Sequence, residues 1–193
     1  MIPSIIVKEA DKVGAKYLYR KNALQSVNPP ETMFGYTVWA NLIPPYKPTH
    51  SLHLGYGGGT VASLTKKIWG DCKITGVDIE SNGDFTLVEH KMKIMDAKDY
   101  LWDLTTPKFY GDWLKPKFDY ICIDLWDGAK VCEFVFDVEF VVRLREVATG
   151  LVSMNIRAED IDKATVYSEY GWRFDRSVAI ENNIVLWWSV IEK

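Results

Sequence analysis

The chain has 193 residues, a formal net charge of −3, and 48% hydrophobic against 25% charged residues. This composition is typical of a globular protein and excludes the disordered and fibrous classes. The slight acidity gives no electrostatic reason to bind nucleic acid, and no apolar run is long enough to span a membrane. Because the N terminus does not resemble a signal peptide and the three cysteines show no paired spacing, we expect a cytoplasmic protein with reduced thiols.

The N-terminal part predicts a hairpin followed by a helix. The β-prone runs at residues 5–7 and 17–19 flank a polar stretch, which is typical of two antiparallel strands. A helix is expected over residues 31–43 because a proline pair stands at each end of this segment. We interpret residues 1–46 as an extension that precedes the main domain.

Short apolar runs then alternate with helix-like segments. Val61, Leu64 and Ile68 recur at helical spacing, and Gly70 follows as a stop. Strands are predicted over residues 51–54, 74–77, 92–95, 120–123, 151–154, 177–180 and 184–190. Further helices are predicted over residues 98–104, 133–147 and 159–169. This alternation favours an α/β domain over residues 47–193, with a mostly parallel sheet covered on both faces and an antiparallel hairpin at its end.

A glycine-rich turn at residues 55–60, Gly-Tyr-Gly-Gly-Gly-Thr, connects the first of these strands to a helix. Glycines let a ligand approach the backbone, and a helix N terminus offers unpaired N–H donors. Asp78 ends the next strand about 20 residues later, where a nucleotide-binding unit places a carboxylate on the ribose. Asp96 and Asp124 follow the next two strands. These acids predict a nucleotide site, whereas a tight turn and helix caps are the plainer alternatives.

In their order, these motifs resemble those of spermidine-synthase-like proteins in the class I S-adenosylmethionine-dependent methyltransferase superfamily. The resembling segments are residues 55–60, 76–80, 95–97 and 118–127, together with residues 24–26, 36, 150–155 and 183–185. The resemblance implies a Rossmann-like, doubly wound, mostly parallel seven-stranded sheet with an antiparallel hairpin at its end. It also implies S-adenosylmethionine as the cofactor.

The resemblance implies roles for individual residues as well. The methionine moiety would lie along the glycine turn, the ribose on Asp78, and adenine on Asp96 and the backbone of Ala97. Asp124 and Asp127 would bind and deprotonate the attacking amine, although such a pair can also cap a following helix. The implied cofactor-binding residues are Gln25, Gly55, Gly57, Gly58, Gly59, Asp78, Asp96 and Ala97. The implied substrate-binding residues are Tyr36 and Trp126.

One departure from the family concerns the glycine turn. Aminopropyltransferases carry a longer loop that reads Gly-Gly-Gly-Asp-Gly-Gly, and Gly58 stands at the position of its aspartate. That aspartate pairs with the ammonium of decarboxylated S-adenosylmethionine, whereas a glycine leaves room for the carboxylate of S-adenosylmethionine itself. We therefore expect methyl transfer to a small, amine-bearing acceptor. Aminopropyl transfer and non-catalytic nucleoside binding are the alternatives.

Other features of the sequence carry weaker predictions. His50 and His53 stand three apart in a strand and point to opposite faces, so we predict no metal site. The segment 133–147 is apolar almost all round, which favours either the core or the face of a homodimer. Trp187 and Trp188 lie on opposite faces of a strand, so one is predicted in the core and the other on a contact surface.

Overall fold

The computed structural model describes residues 5–10, 15–21, 23–28, 38–80, 91–106 and 116–191. Its strands are β1 (Ile5–Ala10), β2 (Ala15–Arg20), β3 (Ala23–Asn28), β4 (His50–Leu54), β5 (Lys73–Asp78), β6 (Lys91–Ile94), β7 (Phe118–Ile123), β8 (Trp126–Asp127), β9 (Lys130–Val131), β10 (Ala148–Arg157), β11 (Trp172–Ile180) and β12 (Asn183–Val190). Its helices are α1 (Thr60–Trp69), α2 (Ala97–Thr105), α3 (Val138–Val147) and α4 (Val166–Glu169), with 3₁₀ helices at Glu133–Phe136 and Ala158–Thr165. Within these ranges, no helix has the length and apolar character needed to cross a membrane.

The main sheet has seven strands in the order β11-β12-β10-β7-β4-β5-β6. Neighbouring strands from β10 to β6 are parallel, and β12 runs antiparallel to both β10 and β11. The predicted α/β sheet with a terminal antiparallel hairpin is thus confirmed. The chain leaves β4 for β5 and β6 on one side and then crosses to β7 on the other. Strand order therefore reverses between β4 and β7, and sheets of this type bind ligands outside the strand ends at such a point.

Both faces of the main sheet are covered. On one face α2 and α3 pack on the sheet, and on the other α1, β2 and β3 share a hydrophobic cluster with it. Trp188 lies in the first cluster and Trp187 in the second, and each is only 2% exposed. The two rings do lie on opposite faces, but the predicted contact surface is wrong because the N-terminal strands and α1 cover the second face.

The predicted helix over residues 133–147 is interrupted. A 3₁₀ helix ends at Phe136, and Asp137 adopts an extended conformation before α3 begins. Helix α3 buries Phe140 and Leu144 in the core but leaves Val138 46% exposed, so it is amphipathic rather than apolar all round. The prediction that this segment packs in the core is confirmed for the buried side of α3. The prediction that it forms the face of a homodimer stays a prediction. The predicted helix over 159–169 is likewise mostly 3₁₀.

The N-terminal hairpin is confirmed, because β1 and β2 pair antiparallel. Sequence analysis missed β3, which pairs antiparallel with β2 after a tight turn in which Lys21 has a φ of 46°. The predicted helix over residues 31–43 lies largely outside the described residues. Of its described part, residues 38–43, residues 38–40 are helical. The missed strand matters because it contacts the glycine turn directly.

Candidate functional site: two cavities that meet at Asp124

The glycine turn lies where β4, β5 and β7 end. The backbone N–H of Gly55 donates to the Val77 carbonyl at 3.0 Å, and that of Asp124 donates to the Leu54 carbonyl at 2.9 Å. Gly55 has a φ of 79°, and a Cβ placed there would lie 2.2 Å from the Asp124 carbonyl oxygen. A Cβ on Gly57, with a φ of 56°, would lie 2.9 Å from the Ser26 hydroxyl. Close packing within the chain therefore requires these two glycines.

Strand β3 holds the glycine turn in place. The Ser26 hydroxyl accepts a hydrogen bond from the Gly58 N–H at 2.6 Å. The next residue, Val27, donates its N–H to the Thr60 hydroxyl at the start of α1, at 3.1 Å. Ser26 lies in the resembling segment 24–26 but was given no role. Its contact shows that the N-terminal sheet forms part of the site.

Asp78, at the end of β5, faces the glycine turn as predicted. Its carboxylate accepts hydrogen bonds from the N–H of Gly57 at 2.8 Å and from that of Glu80 at 3.3 Å. Burial raises the pKa of Asp78, while these hydrogen bonds and the charge of Arg20 oppose the rise. Glu80 also forms an ion pair with Arg20 at 3.5 Å. The carboxylate is therefore oriented by backbone donors beside the turn.

Asp96 caps the N terminus of α2, which is the plainer of its two predicted roles, and it also lines a cavity of the site. One of its carboxylate oxygens, Oδ1, accepts the Lys98 N–H at 2.7 Å and caps α2. The side chain also lines a cavity of about 290 Å³, which we call the acidic cavity. Described residues that line this cavity are Arg20, Lys21, Gln25, Gly55, Val77, Asp78, Ile79, Asp96, Ala97, Asp124, Leu125, Trp126, Asp127, Cys132 and Phe134.

A second cavity of about 280 Å³ lies on the other side of Asp124, and we call it the asparagine cavity. Described residues that line it are Ala23, Leu24, Gln25, Val38, Trp39, Gly55, Gly57, Asp124, Trp126, Gly128, Ala129, Asn155, Arg157 and Asn183. The two cavities share Gln25, Gly55, Asp124 and Trp126. A ligand in one cavity can therefore meet a ligand in the other at these residues.

The Asp124 carboxylate is held by three side-chain donors. It accepts hydrogen bonds from the indole N–H of Trp39 at 3.1 Å, from that of Trp126 at 2.8 Å, and from the amide of Asn155 at 2.9 Å. Asn155 in turn accepts from the Asn183 amide at 3.1 Å. Burial raises the pKa of Asp124, and the three hydrogen bonds limit the rise. The carboxylate is thus fixed in orientation and more basic than an exposed aspartate.

Sequence analysis assigned no role to Trp39, Asn155 or Asn183. Asn155 and Asn183 each stand at one edge of a segment that resembles the family, which was the only available signal. Trp39 carried no signal, because a tryptophan within a predicted helix is ordinarily a core residue. Its indole N–H reaches Asp124 only through the folding of the N-terminal segment over the sheet.

Asp127 is not part of the hydrogen-bond network around Asp124. It lies in the β8–β9 hairpin, is exposed, and forms an ion pair with Lys21 in the β2–β3 turn. The hydrogen bond from Lys21 lowers the pKa of Asp127. The alternative that this acid pair caps a following helix is wrong, because a hairpin follows Asp124. Asp127 does line the acidic cavity.

Two further predictions concern Tyr36 as a substrate-binding residue and the histidines, for which no metal site is predicted. Tyr36 lies outside the described residues. Within the described ranges, no group of three or more His, Cys, Asp or Glu side chains is arranged to hold a metal ion. His50 contacts the Thr75 hydroxyl at 3.0 Å and His53 contacts the Ser51 hydroxyl at 3.2 Å.

Comparisons with known proteins support the fold. No protein-family model and no curated protein sequence matches the chain. Among solved structures, a probable spermidine synthase from Corynebacterium glutamicum has a TM-score of 0.73 at 17% identity, over 96% of this chain and 76% of that one. Spermidine synthase in complex with the transition state analogue AdoDATO has a TM-score of 0.64 at 16% identity, over 96% and 69%. Human methyltransferase-like protein 13 in complex with SAH has a TM-score of 0.60 at 20% identity, over 79% and 78%.

These neighbours establish a class I methyltransferase-like fold for the chain. At identities of 16–20% they establish the fold alone. The same fold serves both spermidine synthase and methyltransferases among these structures. The type of transferred group must therefore be argued from the site.

Proposed function

We propose that the protein is an S-adenosylmethionine-dependent methyltransferase that acts on a small, amine-bearing acceptor. The observation that carries this proposal is the position of Asp124, a partly buried and oriented carboxylate shared by two cavities at the ligand-binding edge of the sheet. One cavity suits the cofactor, and the other suits the acceptor. The experiment below tests the cofactor first, because every later step depends on it.

The residues of the acidic cavity fit an adenosyl group. Asp78 offers carboxylate oxygens to ribose hydroxyls beside the glycine turn, and its existing hydrogen bonds hold it in place. Asp96 uses Oδ1 for the helix cap, so Oδ2 and the Ala97 backbone remain for an adenine amine and ring nitrogen. Gln25 lies at the border of the two cavities, next to the transferred group. When bound, S-adenosylmethionine supplies an electrophilic methyl group on a sulfonium.

Asp124 acts on the acceptor in this proposal. An amine at neutral pH is mostly an ammonium, so it must lose a proton before its lone pair can attack. The Asp124 carboxylate attracts the ammonium and receives that proton, and its burial makes it a better base than an exposed aspartate. Trp39, Trp126 and Asn155 hold the carboxylate toward the junction of the cavities. We assign the base role to Asp124 alone, because Asp127 is paired with Lys21.

The glycine turn favours methyl over aminopropyl transfer. Residues 55–60 contain no acidic side chain, and the N–H of Gly58 is bound by Ser26. An ammonium without a neighbouring carboxylate, as in decarboxylated S-adenosylmethionine, would find no acid in this turn. Intact S-adenosylmethionine carries its own carboxylate beside the ammonium and therefore needs no acid from the turn.

Thermal melting with three ligands tests the proposal. We expect S-adenosylmethionine at a hundredfold excess over its dissociation constant to add about 2.7 kcal/mol of stability, which raises the Tm by several degrees. A larger shift with decarboxylated S-adenosylmethionine would favour aminopropyl transfer. A shift with methylthioadenosine alone would favour a nucleoside-binding protein, and no shift with any ligand would refute the site.

Replacement of Asp78 locates the cofactor within the site. Asp78→Ala removes a charged hydrogen-bond acceptor and should weaken S-adenosylmethionine binding by about 1.5–3 kcal/mol, measured by calorimetry. Asp162→Ala is the matched control, because Asp162 is exposed in the 3₁₀ helix Ala158–Thr165 and lines neither cavity. Equal affinity in the two variants would mean that Asp78 does not bind the ribose.

A further inference from the structure

The charges of the asparagine cavity do not match a polyamine. Among the described residues that line it, only Asp124 and Arg157 carry formal charges, and these are opposite. A diamine or polyamine carries several ammonium groups and would need several acids along its length. Arg157 would repel such a molecule. The acceptor amine must therefore be accompanied by a group that suits a guanidinium.

Arg157 is oriented by neutral groups. Its Nε and Nη2 donate to the Ala129 carbonyl at 3.3 and 3.1 Å, and its guanidinium carbon lies 5.8 Å from the centre of the Trp126 ring. Within the part of the chain that the structure describes, no carboxylate forms an ion pair with it. Of the five N–H donors of a guanidinium, these two contacts leave three for a ligand. A planar fork of this kind matches a carboxylate or a phosphate.

Arg157 is also close to the proposed base. It follows Asn155 by two residues on β10, so both side chains point to the same side of the sheet. Asn155 donates directly to Asp124 at 2.9 Å. Two residues along a strand span about 7 Å. The carboxylate and the guanidinium therefore face one cavity across a distance that a small molecule can bridge.

We propose that the acceptor is a small zwitterion, with an amine at Asp124 and an oxyanion group, a carboxylate or a phosphate, at Arg157. This proposal rests on the proposed function and names its substrate class. Asp124 selects the reacting end of the molecule, and Arg157 anchors the other end. Polyamines are excluded as good acceptors, because they carry no group for Arg157 to bind.

Calorimetry on protein saturated with S-adenosylhomocysteine tests this assignment. The probes are matched pairs: tryptophan with tryptamine, phenylalanine with phenethylamine, and phosphoethanolamine with ethanolamine, together with putrescine and spermidine. We expect at least one anionic member to bind tenfold or more tightly than its partner, and the amino-acid and phosphate pairs separate the two oxyanions. Tighter binding of the polyamines, or no binding by any anionic member, would overturn the proposal.

Variants of Arg157 test whether this residue causes the preference for the anionic probe of each pair. We expect Arg157→Gln to abolish the preference for the anionic member, and Arg157→Lys to retain part of it. Arg176→Gln is the matched control, because Arg176 also lies over a tryptophan, 4.8 Å from the Trp187 ring, but lines neither cavity. An unchanged preference in Arg157→Gln would refute the anchor. Failure of S-adenosylhomocysteine to bind the parent protein would instead refute the proposed function.

Discussion

The acidic and asparagine cavities differ in how the chain builds them. The acidic cavity collects Asp78 and Asp96, which stand at or just after the ends of the consecutive strands β5 and β6, together with Gly55 at the start of the glycine turn. The asparagine cavity collects Trp39, Asn155 and Asn183, which come from the N-terminal segment, β10 and β12. Local sequence patterns therefore predict the strand-end acids of the first cavity, whereas these polar residues of the second come together only when distant segments pack. Asp124 belongs to both cavities, so its replacement is the first test of this difference.

Asp124→Asn should have the largest effect on activity. Asparagine keeps the shape of the side chain but cannot accept the acceptor's proton, so we expect turnover to fall by about 10²–10⁴-fold. Cofactor affinity should stay nearly unchanged, because the proposed role of Asp124 lies with the acceptor. Single-turnover rates with saturating S-adenosylmethionine, compared with calorimetry of the same variant, separate the two effects. Normal turnover would assign Asp124 to structure alone.

Gly55→Ala should disturb both cavities at once. A left-handed conformation costs an alanine about 1–2 kcal/mol, and a Cβ 2.2 Å from the Asp124 carbonyl oxygen adds an overpacking cost of about 1–3 kcal/mol. We expect urea unfolding to show the sum of these costs, and binding in both cavities to weaken.

Gly171→Ala is the control for that variant. Gly171 has a similar φ of 87°, but the nearest atom to an added Cβ is the Arg145 Nε at 3.7 Å, which is an ordinary contact. This variant should therefore lose unfolding free energy only through the conformational cost. Equal destabilisation of the two variants would show that the contact between the glycine turn and Asp124 carries no energy.

The difference between the two cavities also explains which parts of the fold and of the site could be predicted from the sequence. Short apolar runs located the seven strands of the main sheet, and the glycines and Asp78 located the ligand-binding edge, because each of these signals lies within a few neighbouring residues. Strand β3 was missed since its run at 23–28 is short and mixed in character. The Trp39 and Asn155 contacts with Asp124 were missed because they join residues 85 and 31 positions away.

Asn155→Ala should change the pH dependence of the reaction. The Asn155 amide stabilises the charged form of Asp124, whose pKa burial already raises. Without this donor the pKa rises further, so the base becomes ionised only at higher pH. We expect the acid limb of the kcat/KM profile to move to higher pH. The folded state holds this proton more tightly than the unfolded chain does, so the free energy of unfolding declines as the pH rises toward the pKa of the folded state. In Asn155→Ala this decline should continue to a higher pH than in the parent.

Asn183→Ala is the control for the pH profile. Asn183 donates to Asn155 and makes no direct contact with Asp124 among the hydrogen bonds described. Its removal should therefore shift the acid limb less than Asn155→Ala does. Identical shifts would mean that the two asparagines act as one unit, and no shift in either would mean that Asp124 does not titrate in the reaction.

Asp127→Asn should have the smallest effect. Asp127 and its partner Lys21 are 59% and 56% exposed, and exposed ion pairs contribute about 0.2–1 kcal/mol. We expect a loss of unfolding free energy within that range and a change in turnover far below that of Asp124→Asn. Because Lys21 lowers the pKa of Asp127, the contribution is present at neutral pH and is lost as the pH falls through the lowered pKa.

Lys21→Met separates the ion pair from a catalytic role for Asp127. If Asp127 only ties the β2–β3 turn to the β8–β9 hairpin, Lys21→Met and Asp127→Asn should lower the free energy of unfolding equally, and 1 M salt should erase both effects. Under the family resemblance, Asp127 shares the deprotonation with Asp124, and then Asp127→Asn should reduce turnover strongly while Lys21→Met leaves the carboxylate in place and active. The ratio of turnover in these two variants therefore decides whether the acidic cavity holds one catalytic carboxylate or two.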